Sequence, residues 1–289
     1  MTQTDTNEAA GRLRAALEAP ASSARLQAAL TAGSTPAPAY IDVLVERCAI
    51  EPDFYVRDML TWALIRNDTT AVAERLRPEL TSDIAQARAQ ALHTLSKIGE
   101  PTTWPLITLD HLRDEDDAVA RTAWRAAARL VPAGEAVDLA EVLVTQFNRG
   151  DRETQLSLSR AFSALVALGA DTASGPVSAG AGAADGAAAA TAATTAATAA
   201  AIASVVERAK ADPDPAVRIH AAATERLMHD PDEGFDAAMS EARRTAAGSG
   251  APQGDVPRDA APQIAGQDHR LHDDDRHDAT DEQDTSDES

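Results

Sequence analysis

A short helix-start pattern recurs five times along this chain of 289 residues. Each copy centres on an anchor residue that follows a small side chain, and the anchors are Arg57, Arg88, Arg121, Gln155 and Arg218. Successive anchors lie 31, 33, 34 and 63 residues apart, so the last interval spans about two periods. A repeat of this length is typical of stacked two-helix units, each of which buries its apolar face only against its neighbours. The chain is therefore predicted to be a repeat protein.

The residues after each anchor are apolar at the helical period. Three residues after the anchors stand Leu60, Ala91, Trp124, Leu158 and Ala221. Six residues after the anchor, alanine or threonine occurs in all five copies. These offsets lie on one face of a helix, and small residues there permit close helix approach. Each anchor is therefore predicted to lie in an amphipathic helix, the B helix, with Trp124 in the core.

The starts of the B helices are also predicted by the pattern. Four or five residues before the anchors stand Asp53, Asp83, Asp117, Asp151 and Asp214. A carboxylate at this place accepts the free backbone N–H groups of the first helical turn. Before each B helix an apolar A helix is predicted, over residues 39–48, 69–80, 102–112, 134–147 and 201–210.

The B-helix segments carry a family resemblance. They read DFYVRDMLTWAL from Asp53, DAVARTAWRAAA from Asp117 and DPAVRIHAA from Asp214. This pattern resembles the HEAT-repeat family, in particular the HEAT-like repeats also found in phycobilisome lyases, over residues 39–169 and 201–229. The resemblance implies an all-α fold, an α-solenoid of about five helix pairs. It also implies that the anchor arginines are structural, since such residues form hydrogen-bonded ladders in these arrays.

Two anchored segments depart from the family pattern, and composition sets the remaining boundaries. Gln155 replaces an anchor arginine, and Glu225 replaces an apolar residue in the last copy. The stretch 170–200 is low in complexity, and its alanine-rich end could extend the following helix. The last 45 residues have too few apolar side chains to form a core. The predicted organisation is an N-terminal helical cap over 1–36, repeats 1–4 over 37–169, a linker over 170–200, a final repeat over 201–244 and a disordered acidic tail over 245–289.

Composition bears on partners and location. Acidic residues outnumber basic ones by 46 to 26, which gives a net charge of −20. Such a chain repels polyanions, so nucleic acid and anionic membranes are disfavoured as partners. Cys48 is the single cysteine and lies among apolar residues, so we expect a buried, inert thiol and a reducing compartment. No signal peptide or membrane span is evident, and the protein is predicted to be cytoplasmic.

The chain carries no recognised catalytic motif. It has no phosphate-binding glycine loop, no zinc-ligand spacing and no nucleophile elbow. The His-Glu dipeptides that bind iron in HEAT-repeat deoxyhypusine hydroxylases do not occur. His269, His272 and His277 stand among aspartates in the tail and could bind a divalent metal, but a solubilising tail is the favoured interpretation. We therefore predict no catalytic residue, no cofactor and no resident metal.

The concave B-helix face is the predicted binding surface, because the resemblance to HEAT arrays implies that the B helices line the inner side of the superhelix. Residues one, four, five and eight positions after each anchor point away from the predicted core. In a strongly acidic protein these positions carry four arginines and a single acid, Asp58. The predicted partner-binding residues are Trp62, Ile65, His93, Arg125, Arg129, Arg160 and Arg226. The alternative is that arginine is simply a good exposed helix former.

These features predict a non-enzymatic scaffold that binds another protein. The arginines would grip an acidic segment of the partner, with Trp62 as an apolar anchor. The protein's own acidic tail could compete for the same face. The alternative function is a protein that acts on nucleic acid and is similar to the HEAT-like alkylpurine DNA glycosylases.

Overall fold

The computed structural model describes residues 3–171 and 184–248 and is all-α in these ranges, which confirms the all-α part of the predicted fold class. Neither range contains a strand, and none of its helices is long and apolar enough to cross a membrane. Residues 249–289 of the predicted tail, including its three histidines, lie outside the described residues, whereas residues 245–248, predicted to be disordered, form the last turn of a helix. The helices are α1 (Gln3–Leu17), α2 (Ser22–Ser34), α3 (Tyr40–Ile50), α4 (Phe54–Ile65), α5 (Thr69–Leu76), α6 (Ala85–Ile98), α7 (Leu109–Leu112), α8 (Asp117–Leu130), α9 (Ala136–Leu143), α10 (Arg152–Asp171), α11 (Ala184–Ala209), α12 (Pro215–His229) and α13 (Phe235–Gly248).

The anchors lie in α4, α6, α8, α10 and α12, which are the predicted B helices. With α2, they contact one another in succession, from α2 and α4 to α10 and α12. The A helices are α1, α3, α5, α7, α9 and α11. Several of them are short because proline interrupts them: Pro78 begins a 3-10 turn after α5, and Pro101 begins another before α7.

Three of the five predicted helix caps are present. In these the aspartate accepts backbone N–H groups of its first turn, as seen at Asp53, Asp151 and Asp214. The predictions for Asp83 and Asp117 are wrong. Ser82 Oγ accepts from the backbone N–H of Ile84 before α6, and Asp116 caps α8. Asp117 instead forms an ion pair with Arg149 at 2.9 Å.

The core lies between the two kinds of helix and is formed mainly by leucine and alanine. Trp124 is fully buried, as predicted, and its indole N–H donates to the carbonyl of Leu112 at 2.9 Å. Cys48 is also buried, and desolvation raises the pKa of its thiol to about 12. A thiol with so high a pKa has almost no thiolate at neutral pH, which agrees with an inert side chain.

Helix α11 begins at Ala184, inside the stretch 170–200 that was predicted to be a linker. The alanine-rich end of that stretch therefore extends the following helix, as the high helix propensity of alanine allows. Residues 172–183, in the middle of the predicted linker, lie outside the described residues.

Helix α13 packs on α12, on the side that points away from the core. We call this side of the B helices the outward face; it carries the residues one, four, five and eight positions after each anchor. Its apolar face forms a small cluster with α12 that consists of Ala223, Leu227, Phe235, Ala238, Met239 and Ala242. Leu156 of α10 and Ile219 and Ala222 of α12 pack against this cluster. The helical period places these three residues on the face that was predicted to be free, so α13 covers that part of the face.

Candidate binding surface

Three of the four anchor arginines, Arg57, Arg88 and Arg218, close their own A–B turns, whereas Arg121 forms an ion pair with Glu153. Nη1 of Arg57 donates to the carbonyls of Glu51 and Pro52, each at 2.8 Å. Nη1 of Arg218, the last of the five anchors, makes the same two bonds, to the carbonyls six and five residues before it. Arg88 donates to Ser82 O at 2.8 Å. Such bonds satisfy carbonyls that the helices leave free, so these arginines hold the turns and are not available to a ligand.

Arg25 of α2 is a sixth anchor that the sequence prediction missed. It lies 32 residues before Arg57, and its Nη1 donates to the carbonyls of Ala19 and Pro20 at 2.9 and 2.8 Å. No aspartate precedes it at the cap position, which is why the pattern was not extended to this helix. The interval and the alanine before Arg25 were the available signals. Helices α1 and α2 therefore form a pair of the same kind as the later ones.

A fully buried glutamate joins the first two pairs. Glu51 accepts two hydrogen bonds from Arg25, at 2.8 and 2.9 Å, and others from Arg47 and the backbone of Asp53. Burial alone would raise the pKa of Glu51, but the bonds from Arg25, Asp53 and Arg47 outweigh it and lower the pKa to about 2. The carboxylate is therefore charged and structural. Arg88 makes an equivalent link to Asp114 of the next turn.

An open groove of about 390 Å³ crosses the outward face of α4, α6 and α8, and we call it the α4–α8 groove. Its wall includes three alanines, Ala85, Ala89 and Ala118. Small side chains at these places leave the helix backbones accessible to close packing. Charged residues of both signs line the groove, Arg57 and Asp58 at the α4 end and Asp116 and Arg125 at the α8 end, so the lining itself is balanced in charge.

His93 lies in the α4–α8 groove between two cations. Desolvation is the main cause that lowers the pKa of His93, and the charges of Lys97 and Arg125 lower it further. The neutral imidazole is therefore favoured at physiological pH. In this form His93 offers one donor and one acceptor to a ligand rather than a charge.

Four cations on α6, α8 and α10 form what we call the cationic strip: Lys97, Arg125, Arg129 and Arg160. Among the described residues, no acidic side chain forms a salt bridge with any of them. Arg125 is an exposed residue, yet the groove partly desolvates its guanidinium and, together with the charges of Arg121 and Arg160, lowers its pKa. The guanidinium of Arg129 lies over Gly99 at the end of α6, 3.5 Å from the place a Cβ would take.

The predicted site residues do not all meet. Only His93 and Arg125 line the α4–α8 groove. Trp62 is half-buried against α2, where its ring covers Gly33, and Ile65 is half-buried near the C-terminal end of α4. A side chain packed on a neighbouring helix is a poor anchor for a partner.

Arg226 was predicted to face a partner, but an acid of the same chain holds it. Its Nε donates to both carboxylate oxygens of Glu233, at 2.9 and 3.0 Å. Glu233 lies in the turn between α12 and α13, a region that the helical period could not position. Arg226 therefore does not belong to the cationic strip.

Helical period alone also overestimated the width of the outward face. Leu92, Ala126, Ser159 and Ala223 stand four or five residues after an anchor, yet all four are fully buried. Neighbouring B helices touch along this edge, and the side of contact differs from helix to helix. At each B helix only one of the two positions therefore reaches the outward face.

The first turn of α4 contributes aromatic residues that the sequence prediction missed. Phe54 and Tyr55 are 65% and 73% exposed, and their rings meet edge to face at 5.6 Å. Phe54 also lines the α4–α8 groove, with the guanidinium of Arg57 5.9 Å from its ring centre. The available signal was spacing, because residues three before and one after an anchor are one turn apart and share a face.

Among the described residues, no cluster of three or more histidine, cysteine or acidic side chains could hold a metal ion. The tail histidines, to which the metal hypothesis applied, lie outside this part of the chain.

Comparisons with known proteins give no family. No family model and no curated protein matches the chain. Among solved structures, the chain is similar to a crystal structure described only as that of an engineered protein, with 21% sequence identity over 76% of this chain and 96% of that chain. The TM-score of that match is 0.37, which is too low to carry an argument.

Proposed function

We propose that this protein is a non-enzymatic scaffold, an α-solenoid of HEAT-like helix pairs that binds an acidic segment of another protein. The two-helix period, the successive contacts of the B helices and the turn-closing arginines support the solenoid. The α4–α8 groove and the cationic strip are the proposed binding surface.

The absence of salt bridges to the cationic strip, among the described residues, is the observation that carries this proposal, although Glu153 lies near enough to act on the charge of Arg125. In a chain with a net charge of −20, acidic side chains are abundant, and Arg226 shows how readily an exposed arginine acquires one. Three arginines and Lys97 nevertheless stay without salt bridges on one face. Carboxylates of a partner would relieve the repulsion among these cations through charge-assisted hydrogen bonds.

In the described part of the chain a serine and a histidine meet in the core, and this contact supports a structural role rather than catalysis. Ser159 Oγ lies 3.1 Å from Nε2 of His220, and both residues are at most 1% exposed. Nδ1 of His220 accepts from a backbone N–H instead of facing a carboxylate. A nucleophile needs both access to substrate and a base that a third group orients. This pair has neither.

The proposal is tested by charge reversal on the strip. Affinity capture would compare three tagged proteins: the wild-type chain, the double variant Arg125→Glu/Arg160→Glu and the control variant Arg113→Glu. The captured proteins would be quantified by mass spectrometry at low and at physiological salt. Arg113 is exposed at the end of α7 and lies outside the groove lining, so it gives a matched charge change.

We expect the wild type and Arg113→Glu to capture at least one acidic protein. The captured amount of that protein should fall about tenfold or more with the double variant. Direct binding of the purified protein, with the same dependence, completes the result. Equal capture by all three forms would reject the strip as the binding surface. If the wild type captured nucleic acid instead of protein, and the double variant did not, the result would favour the glycosylase-like alternative.

A further inference from the structure

Helix α13 shows how a helix binds to the outward face of the B helices. Phe235, Ala238, Met239 and Ala242 follow the spacing of one helical face, and all four are buried. They pack on α12 next to Ile219, one residue after the anchor Arg218. An amphipathic helix with small and flexible apolar side chains therefore already occupies one part of this face.

The α4–α8 groove has the same register as the surface beneath α13. On α12 the positions one and four after the anchor, Ile219 and Ala222, pack against the cluster that α13 forms with α12, and Ala223 at position five is buried within that cluster. In α6 and α8 the same offsets line the groove, as Ala89, His93, Thr122 and Arg125. Equivalent positions of equivalent helices thus face α13 in one place and solvent in the other.

Ion pairs at the edge hold α13 in place. Arg152, in the first turn of α10, makes two bonds of 2.6 Å to the carboxylate of Asp236, and its guanidinium lies 5.8 Å from the ring centre of Phe235. Glu233 pairs with Arg226 just before the helix begins. The helix therefore combines an apolar stripe with carboxylates that meet arginines of the B helices.

We infer that the α4–α8 groove binds an amphipathic α-helix of a protein partner, placed on α6 and α8 as α13 is placed on α12, with an acidic residue against Arg125. The inference rests on the proposed function and names the form of the acidic segment. Ala85, Ala89 and Ala118 accept a helix at close range, and Phe54 offers an exposed apolar contact at the end of the groove. Two features point to an acidic helix: the register shared with α13 and the unpaired cations beside the groove.

The probe is a fluorescein-labelled peptide of residues 231–248, which contains α13, titrated into the full-length protein and followed by anisotropy and circular dichroism. A peptide of the same composition without the helical apolar spacing is the sequence control. Ala89→Trp fills the groove, and Ala211→Trp places the same bulk on an exposed turn between α11 and α12. Thermal unfolding of each variant checks that the fold is retained.

We expect saturable binding with a gain of helix in the peptide, and no binding of the control peptide. Ala89→Trp and Arg125→Glu should each weaken binding about tenfold or more, whereas Ala211→Trp leaves it unchanged. A nitroxide label on Gln90→Cys, which lines the groove, should broaden the nuclear magnetic resonance signals of a peptide bound there. The label reacts only at this position because Cys48 is buried. This second readout does not depend on the folding of Ala89→Trp.

Three results would overturn the inference: no binding, binding without helix formation, or binding that Ala89→Trp leaves unchanged and that does not reach Gln90. The first two, together with partner capture that still requires Arg125 and Arg160, would leave the scaffold function intact and reject only the helical form of the ligand. If the peptide bound in the groove but no partner depended on the cationic strip, the groove would be retained as a helix-binding site and the proposed scaffold function would be rejected.

Discussion

Nδ1 of His220 accepts a hydrogen bond from the backbone N–H of Asn148 at 2.9 Å, across 72 residues of sequence. This bond joins the turn before α10 to α12. Nε2 of the same ring lies 3.0 Å from the carbonyl of Gln155, so it carries the proton. Both ring nitrogens are therefore committed to the neutral form, in a site where Asn148 has a φ of 66° and the ring packs on Phe147.

The first prediction concerns pH. Burial lowers the pKa of His220 from 6.5 to about 4, so the unfolded state binds a proton more readily than the folded state. The contribution of His220 to stability is full above pH 6.5 and is lost as the pH falls from 6.5 to 4. Between pH 7.5 and 5 we expect the free energy of unfolding to fall by about 2 kcal/mol through this group.

Urea unfolding of the wild type and His220→Asn at the two pH values measures this effect. The asparagine side chain can accept from the backbone of Asn148 but does not titrate, so its stability should depend less on pH. His229→Asn, at an exposed position, should keep the pH dependence of the wild type. If the free energy of unfolding changed equally with pH in the wild type and in His220→Asn, His220 would not be the group responsible for the pH dependence.

The second prediction concerns Glu51. Glu51→Gln removes a buried charge that two arginines share, and we expect the free energy of unfolding to fall by about 3 kcal/mol. Because its folded pKa is lowered from 4.5 to about 2, the contribution of Glu51 is present above pH 4.5 and is lost as the pH falls toward 2. Glu46→Gln, at an exposed ion pair with Arg14, should change stability by less than about 1 kcal/mol. Chemical unfolding at pH 7 compares the two, and similar losses would mean that Glu51 does not hold the junction.

The third prediction concerns the contact between α2 and α4. A Cβ on Gly33 would clash with the ring of Trp62, so Gly33→Ala should force the ring or the helix to move, at a cost of about 2 kcal/mol. Gly11→Ala, in α1 and free of any neighbour within 4 Å, should stabilise by about 0.5 kcal/mol through helix propensity. Thermal unfolding and tryptophan fluorescence measure both. A neutral Gly33→Ala would show that the two helices pack less closely than described.

The fourth prediction concerns a hydroxyl group. Thr61 Oγ1 is the one buried side-chain polar atom without a hydrogen bond in the described part of the chain. Thr61→Val removes this group and should stabilise the protein by about 1 kcal/mol. Thr94, equally buried in α6, donates from Oγ1 to Gln90 O at 2.8 Å, so Thr94→Val should be neutral or destabilising. Urea unfolding measures both changes in stability. If both variants were stabilised, the hydroxyl of Thr61 could not be distinguished from the hydrogen-bonded hydroxyl of Thr94.

The positions of the B helices could be predicted because their signals are local. An anchor, a small residue two turns later and an apolar face predict a helix without knowledge of its neighbours. The missed features depend on contacts between distant residues. Asp117 is drawn from capping to ion pairing by Arg149, and Arg226 is neutralised by Glu233 beyond the end of its helix. Neither pairing follows from periodicity.

The candidate binding surface could be predicted only in part, for the same reason. Period alone placed His93 and Arg125 on the outward face, where they line the groove. It also placed Leu92 and Ala126 there, which lateral contacts bury. The missed Phe54 lies in the first turn of its helix, one turn before Asp58, and the same period would have included it. Its exposure shows that first turns belong to this face.

The position of α13 has a consequence for stoichiometry. Repeated units usually offer repeated sites, so several identical ligands can line up along one array. Among the described residues, α13 covers part of the outward face at α10 and α12, whereas the α4–α8 groove is open. A complex formed there would contain one ligand per chain, oriented in one direction by the asymmetric placement of Phe54 and Arg125 at its two ends.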